Sequence, residues 1–296
     1  MLTIPAPASD PRPILYSGHT MGAPQWDIYE VLRRFREIGY DAVEVRVAPD
    51  GQIDSETVTN EECERILAAA RAEGMAFSCL TSYYKSFLPA EKRKDTLAKL
   101  RRVVEIAHLL ECPLVRVYGG DEPRELPDVW YTDVWTETVT GIREVASYAA
   151  RFGVKLCIET HIGSLTVSVR DTLRMVEDVN MHNVGILFDY AWVHVAGVEG
   201  PREAVRLAAG HIFHVHVKDF KIRALRPLDK SAALVGEGDL PWAEVVDELV
   251  KVGYRGYISD EYEAYWYPDD LPPAEVGMRK NLLAVKALEA ASRAKQ

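Results

Sequence analysis

Four cysteines in 296 residues leave little scope for covalent stapling. Cys63, Cys79, Cys112 and Cys157 form no C-x-x-C pair, and three lie in apolar or strand-like runs. The pattern fits buried, reduced thiols rather than a disulfide framework. Long apolar runs are also missing. None free of charge approaches the roughly 20 residues that span a bilayer, so no membrane partner is expected. Basic residues are in deficit: 35 Lys and Arg stand against 45 Asp and Glu, a formal net charge of −10. That balance argues against binding duplex nucleic acid through a general basic surface. It does not argue against a small substrate, because a local cluster can override the global sign. The start, MLTIPAPASDPRP, has neither a basic n-region nor an apolar h-region, so it is not expected to be a signal peptide. Its prolines predict a flexible, extended lead-in over residues 1–12. The cytoplasm is the expected location.

What is present is alternation. Apolar strand-like runs occur at 14–19, 41–47, 75–81, 113–120, 154–161, 184–190, 211–220 and 256–262. Helical spacing occurs at 26–39, 60–73, 89–110, 134–152, 169–179, 201–209, 241–252 and 274–294, most stretches stopping at glycine. Strict alternation implies parallel strands with helical crossovers. Eight such units in one chain without linker or low-complexity tract predict an α/β fold, a (β/α)8 TIM barrel as a single catalytic domain over 13–296. The competing fold, an open doubly wound sheet, usually carries a glycine-rich phosphate loop after its first strand. No G-x-G-x-x-G or P-loop is present.

A barrel keeps its active site at the C-terminal ends of its strands. The fifth to eighth strands end in Glu159, Asp189, His216 and Glu261, spaced by 30, 27 and 45 residues. Period two places Glu159 and His161 on one face. It places His214, His216 and Lys218 together, with Phe213, Val215 and Val217 toward the helices. Any one of these residues alone is more commonly an ion-pair or capping partner. Four at matching depth point to a divalent ion, with three carboxylates and an imidazole as ligands. Manganese is the first choice, with Mg2+, Co2+ or Zn2+ as alternatives.

The stretches LCIETHIGSL (156–165), VGILFDY (184–190), HIFHVHVKDF (211–220), VGEGDLPW (235–242) and GYISDEYE (256–263) resemble the xylose-isomerase-like barrel superfamily, in the branch of sugar-phosphate isomerases and epimerases. The likeness is specific over about 150–263; before that, only strand order and YDAVEVR (40–46) agree. It implies that Glu159, Asp189, His216 and Glu261 bind a single metal ion. It also implies that Glu159 and Glu261 transfer protons on opposite faces of a substrate. A carbon acid next to a carbonyl is too weak for a free carboxylate to deprotonate quickly, and a cation at the oxygens stabilises the enediolate. Two glutamates would invert the centre; one acting twice would interconvert aldose and ketose. The same enolate can expel a β leaving group, giving a lyase acting on a keto-inositol or a 3-keto C-linked sugar. A barrel that binds without catalysing would show no proton exchange.

One position departs from the pattern. Many sugar epimerases of the family carry histidine three residues after the metal-binding aspartate. Here Trp192 stands there, with His194 two residues on. Trp192 suits stacking on a ring or simply the core. The endonuclease IV relatives need additional histidines, but the third and fourth strands end in Thr81 and Tyr118. With the acidic charge, that disfavours a nucleic-acid substrate.

Further substrate-binding candidates are His161, Lys218, Glu44, Arg116 and His19 at strand ends, and Arg223 in 220–230, read as a basic loop. Glu44–Arg116 or Arg46–Glu159 pairs across the barrel are the structural alternatives. A hydrogen bond to Glu159 is the alternative for His161. Tyr83, Tyr84 and Lys85, and the aromatic run 261–270, suit either closing a pocket over a small carbohydrate-like substrate or contacts in a homo-oligomer.

Overall fold

The computed structural model describes residues 14–295; the expected lead-in over 1–12 lies outside them. Eight parallel strands close a barrel. They are β1 (Leu15–His19), β2 (Ala42–Val47), β3 (Ala76–Ser82), β4 (Leu114–Val117), β5 (Lys155–Glu159), β6 (Val184–Asp189), β7 (Ile212–Val217) and, after a hairpin, β10 (Tyr257–Asp260). The hairpin consists of β8 (Asp219–Leu225) and β9 (Leu228–Ala233), paired antiparallel. The helices are α1 (Ile28–Ile38), α2 (Asn60–Glu73), α3 (Ala90–Leu109), α4 (Tyr131–Ala150), α5 (Val169–Val179), α6 (Tyr190–Ala196), α7 (Pro201–Ala208), α8 (Trp242–Lys251) and α9 (Ala274–Arg293). None of these is long and apolar enough to cross a membrane.

Local chemistry sets these boundaries. The Asp27 carboxylate accepts the Glu30 amide at 2.8 Å and starts α1. Gly39, at φ 107, ends it in the left-handed region that glycine enters without strain. Between them Val31, Leu32, Phe35 and Ile38 bury one face against the sheet. On β2, Val43, Val45 and Val47 pack outward into the same core, which leaves Glu44 inside the barrel.

The interior is layered. Two residues before Glu159, Asp189 and His216, hence one inward step lower, lie Cys157, Leu187 and His214. Cys79, Leu114, Cys157 and Leu187 form a separate apolar plug. All four cysteines are buried and unpaired, with the Cys79 and Cys157 sulfurs 3.9 Å apart.

Three expectations need correction. The segment 220–230 is not a loop: its basic composition hides a period of two that forms most of the β8–β9 hairpin. Phe213 does not face the helices. The β6–β7 register slips between Ile186 and Leu187, so Phe213 packs against the apolar plug. Tyr190 does not extend β6. The Asp189 side chain accepts the Ala191 amide at 3.0 Å and opens the unexpected helix α6.

One buried side chain joins the hairpin to the loop that follows it. Asp219 is 1% exposed and accepts the backbone amides of Gly236, Gly238 and Leu240. A Cβ on Gly238 would stand 2.1 Å from its carboxylate, so only glycine allows this approach. Asp219→Ala is expected to lower unfolding free energy by about 3 kcal/mol, since three backbone amides, that of Leu240 buried, lose their acceptor. Urea unfolding measures it, and a loss below about 0.5 kcal/mol would mean the tie is immaterial.

Candidate active site

The C-terminal ends of β5, β6, β7 and β10, four adjacent strands, deliver Glu159, Asp189, His216 and Glu261 to one place. One ligand atom from each lies within 4.8 Å of the others. Glu261 sits one residue beyond β10, and its amide donates to the Val217 carbonyl at 3.0 Å, which fixes its height. His216 Nδ1 is 3.2 Å from Glu159 Oε1, 3.2 Å from Glu261 Oε2 and 3.9 Å from Asp189 Oδ2.

The far side of His216 is fixed too. Nε2 is 2.9 Å from Glu44 Oε1, and the other Glu44 oxygen is 2.8 Å from His214 Nε2. The Thr81 hydroxyl donates to Glu44 at 2.6 Å. With one proton on Nε2 toward Glu44, His216 would offer an Nδ1 lone pair to a cation at the rim once its second proton is displaced, as in carboxylate–histidine–metal arrangements. Glu44, His214 and His216 also converge closely enough to be a second candidate ligand group. The bonds Glu44 already makes assign it the supporting position.

The electrostatics of the cluster suit a cation. Burial alone would strip His216 of charge, but Glu261, Glu44 and Glu159 raise its pKa well above the imidazole range. Burial raises Asp189 to about 7, with the neighbouring Glu261 and Glu159 adding to it and Lys218 opposing. Burial also acts upward on Glu159, yet Arg116, His161 and His216 bring it down to about 2. Glu261 is held low against burial by His216 and Lys218. Glu159 Oε1 accepts no hydrogen bond although fully buried. Three carboxylates, an imidazole and an unsatisfied oxygen converging at one buried point fit a divalent ion.

Beside this cluster opens a cavity of about 420 Å³. Of the sequence candidates, His161, Trp192, Lys218 and Glu261 line it. His161 turns Nδ1 to the Ile162 carbonyl, which leaves Nε2 as its free nitrogen. It makes no hydrogen bond to Glu159; its ring lies edge-on to Tyr118 and Trp192, both at 5.0 Å. Burial lowers its pKa to about 4, so it is neutral at pH 7. Lys218 is committed to carboxylates: 2.8 Å to Asp189, 3.2 Å to Glu263, and a contact with Glu261.

The remaining candidates lie outside the lining. Arg116 is buried and pairs with Glu159, not with Glu44, and its guanidinium sits 4.1 Å from the Tyr118 ring. Arg46 pairs with Asp50 rather than Glu159. Glu44 lies beneath His216 and is fully buried. His19 is buried, and its Nδ1 accepts the Met21 amide at 3.0 Å. His194 packs edge-on to Tyr190 on α6. Arg223 is exposed and pairs with Asp229 across the hairpin. Arg116, Glu44, His19, His194 and Arg223 thus do not line the cavity, although Arg116 Nε and Nη2 and His19 Nε2 are buried with no hydrogen-bond partner. Tyr83 lines the cavity, whereas Tyr84 bonds Ser55 and Lys85 bonds Glu125. Met21, Tyr118, Glu263, Lys230, Trp266 and Tyr267 complete the wall. Lys230 was hidden in the basic segment, and only its hairpin pairing brings it inward.

The fold and the rim define a (β/α)8 barrel with a carboxylate–imidazole centre at its C-terminal mouth. The chain belongs to the xylose isomerase-like TIM barrel family, whose model matches residues 32–288. It is 28% identical to an inosose dehydratase of Lactiplantibacillus plantarum over 149 residues, 45% of this chain and 49% of that protein. It is 25% identical to a D-psicose 3-epimerase of Ruminiclostridium cellulolyticum over 130 residues, 43% of this chain and 41% of that protein. The chain thus spans about half the length of these curated relatives. A solved L-ribulose 3-epimerase has the same fold, with a TM-score of 0.79 at 16% identity, covering 96% of this chain and 97% of that one.

Arg116 offers a direct test of the rim electrostatics. Arg116→Met leaves Glu159 buried without its cation and is expected to cost about 3–5 kcal/mol of stability without added metal. Denaturant unfolding checks it; an unchanged midpoint would show that the pair is not a stabilising contact.

Proposed function

We propose that the chain is a divalent-metal-dependent isomerase or epimerase of a small carbohydrate or keto-polyol. The observation that carries this reading is the convergence of Glu159, Asp189, His216 and Glu261 beside the cavity. Manganese suits this mixed oxygen and nitrogen set, with Mg2+, Co2+ or Zn2+ as alternatives. When bound, the ion supplies stabilisation of negative charge on oxygen next to the reacting carbon.

The protein groups supply the proton steps. Glu261 engages His216 and Lys218 through the same oxygen, Oε2, and lines the cavity. It is the group proposed to take the proton from carbon. Glu159 approaches from β5 and is oriented by Arg116. It is proposed to relay a proton taken from solvent to the other face, which inverts the centre, while Glu261 later releases its proton to solvent. His161 Nε2 would position a substrate oxygen in the wall.

The aromatic lining favours a second reading. Tyr118, Trp192 and Tyr267 suit a ring ketone, and loss of a β substituent after proton removal makes the enzyme a lyase. The similarity to an inosose dehydratase supports this alternative.

Incubation with keto-sugars and inosones in D2O, followed by NMR, separates the two. Deuterium uptake without loss of water or an aglycone is the expected result; uptake with such loss selects the lyase. Binding with no exchange in any compound would overturn proton transfer. Glu159→Gln and Glu261→Gln should each reduce turnover by about 100-fold or more. Turnover retained in both would remove them from the chemistry. Chelation should abolish activity, and full activity in metal-free protein would end the metal reading. Glu44→Gln should weaken divalent-ion binding by about 10- to 100-fold, read by titration calorimetry with Mn2+.

A further inference from the structure

Two hydrogen-bond donors on the cavity wall have no anionic partner. Lys230 projects from β9, half-buried, with Nζ 3.4 Å from the Phe220 ring centre, 4.4 Å from Tyr267 and 5.0 Å from Trp192. It donates a single hydrogen bond, to the Tyr267 hydroxyl at 2.6 Å. Among the described residues no carboxylate lies within 4 Å of it. The neighbouring cations differ: Arg116 has Glu159, Arg46 has Asp50, and Lys218 touches three carboxylates. Trp192 is 8% exposed and lines the cavity, and its indole N–H has no acceptor.

A buried donor left unsatisfied is costly, and an ammonium in an aromatic cage keeps its charge but not its preferred counter-ion. Burial lowers Lys230 to about 8, with Glu263 and other carboxylates offsetting this only at longer range. Both side chains therefore lie on one wall beside the proposed metal-ligand cluster, Lys230 with spare donor capacity and Trp192 with a buried indole N–H that lacks an acceptor.

We infer that Lys230 and Trp192 form a subsite for one carboxylate group, so that the substrate is a monoanionic acid of a ring polyol, of the uronic or cyclitol carboxylic type. This rests on the cavity being the substrate site proposed above. A carboxylate fits better than a phosphate dianion. The lining holds no arginine, and the first amides of α6 are already capped by Asp189, so no amide cradle is available. The Phe220, Tyr267 and Trp192 rings fix the ammonium in place, so little side-chain freedom is lost on binding.

Titration calorimetry with D-glucuronate, D-glucose and D-glucose 6-phosphate tests this in the full chain, with Mn2+ and after chelation. D-glucuronate is expected to bind about 10-fold or more tightly than D-glucose. Lys230→Met, which keeps the packed stem, should shrink that gap to about 3-fold or less, while Lys230→Arg keeps part of it. Equal affinities for acid and sugar in the unmodified protein would overturn the subsite without any variant. So would a gap that survives Lys230→Met. A Lys230-dependent preference for the phosphate would overturn the carboxylate assignment. If Mn2+ does not bind but the Lys230-dependent gap persists, the subsite stands and the metal reading falls. If Mn2+ binds and no gap exists, the reverse holds.

Discussion

Like charges held at close range in a water-poor barrel mouth govern this molecule. Glu159, Asp189 and Glu261 converge around His216, and every one of the four is buried. Desolvation disfavours each anion, and mutual repulsion adds to it. The surrounding barrel is arranged to hold the anions nonetheless. Arg116 meets Glu159 from the neighbouring strand, Lys218 reaches Asp189 and Glu261, and Glu44 braces His216 from below. This pairing is how so much polar chemistry occupies the core. A divalent ion would take the place of the proton that His216 holds among these carboxylates.

The barrel was legible because its signal is periodic. Valines at 43, 45 and 47 and the helix stops at Gly39 and Gly74 encode strand and helix locally, and eight repetitions leave few topologies. The rim was legible for the same reason, since strand ends are the most predictable addresses in a parallel barrel. Glu159, Asp189, His216 and Glu261 could thus be grouped from spacing and residue type.

What escaped depended on register and on long-range partners. Phe213 obeys period two on paper, but the β6–β7 slip changes its face. Arg116 and Glu44 were recognised as inward-facing. Their partners could not be, because side chains from several strands compete for the same interior. Lys230 lay in a segment whose basic composition reads as solvated surface. Its role depends on pairing between 219–225 and 228–233, which turns one lysine inward while Arg223 turns out. The pocket wall is therefore less readable than the four strand-end residues, because it is built by segments added between the strands rather than by the repeating unit.

Asp189 belongs to two structures at once. One of its oxygens faces the ligand cluster, and the other caps α6, the helix that carries Trp192. A shift of that carboxylate to suit a different ion would move the first turn of the helix and, with it, the indole on the cavity wall. Under the proposed reading, ion choice and substrate choice would be mechanically linked through this single side chain, because the helix that carries residue 192 starts at the ligand cluster itself.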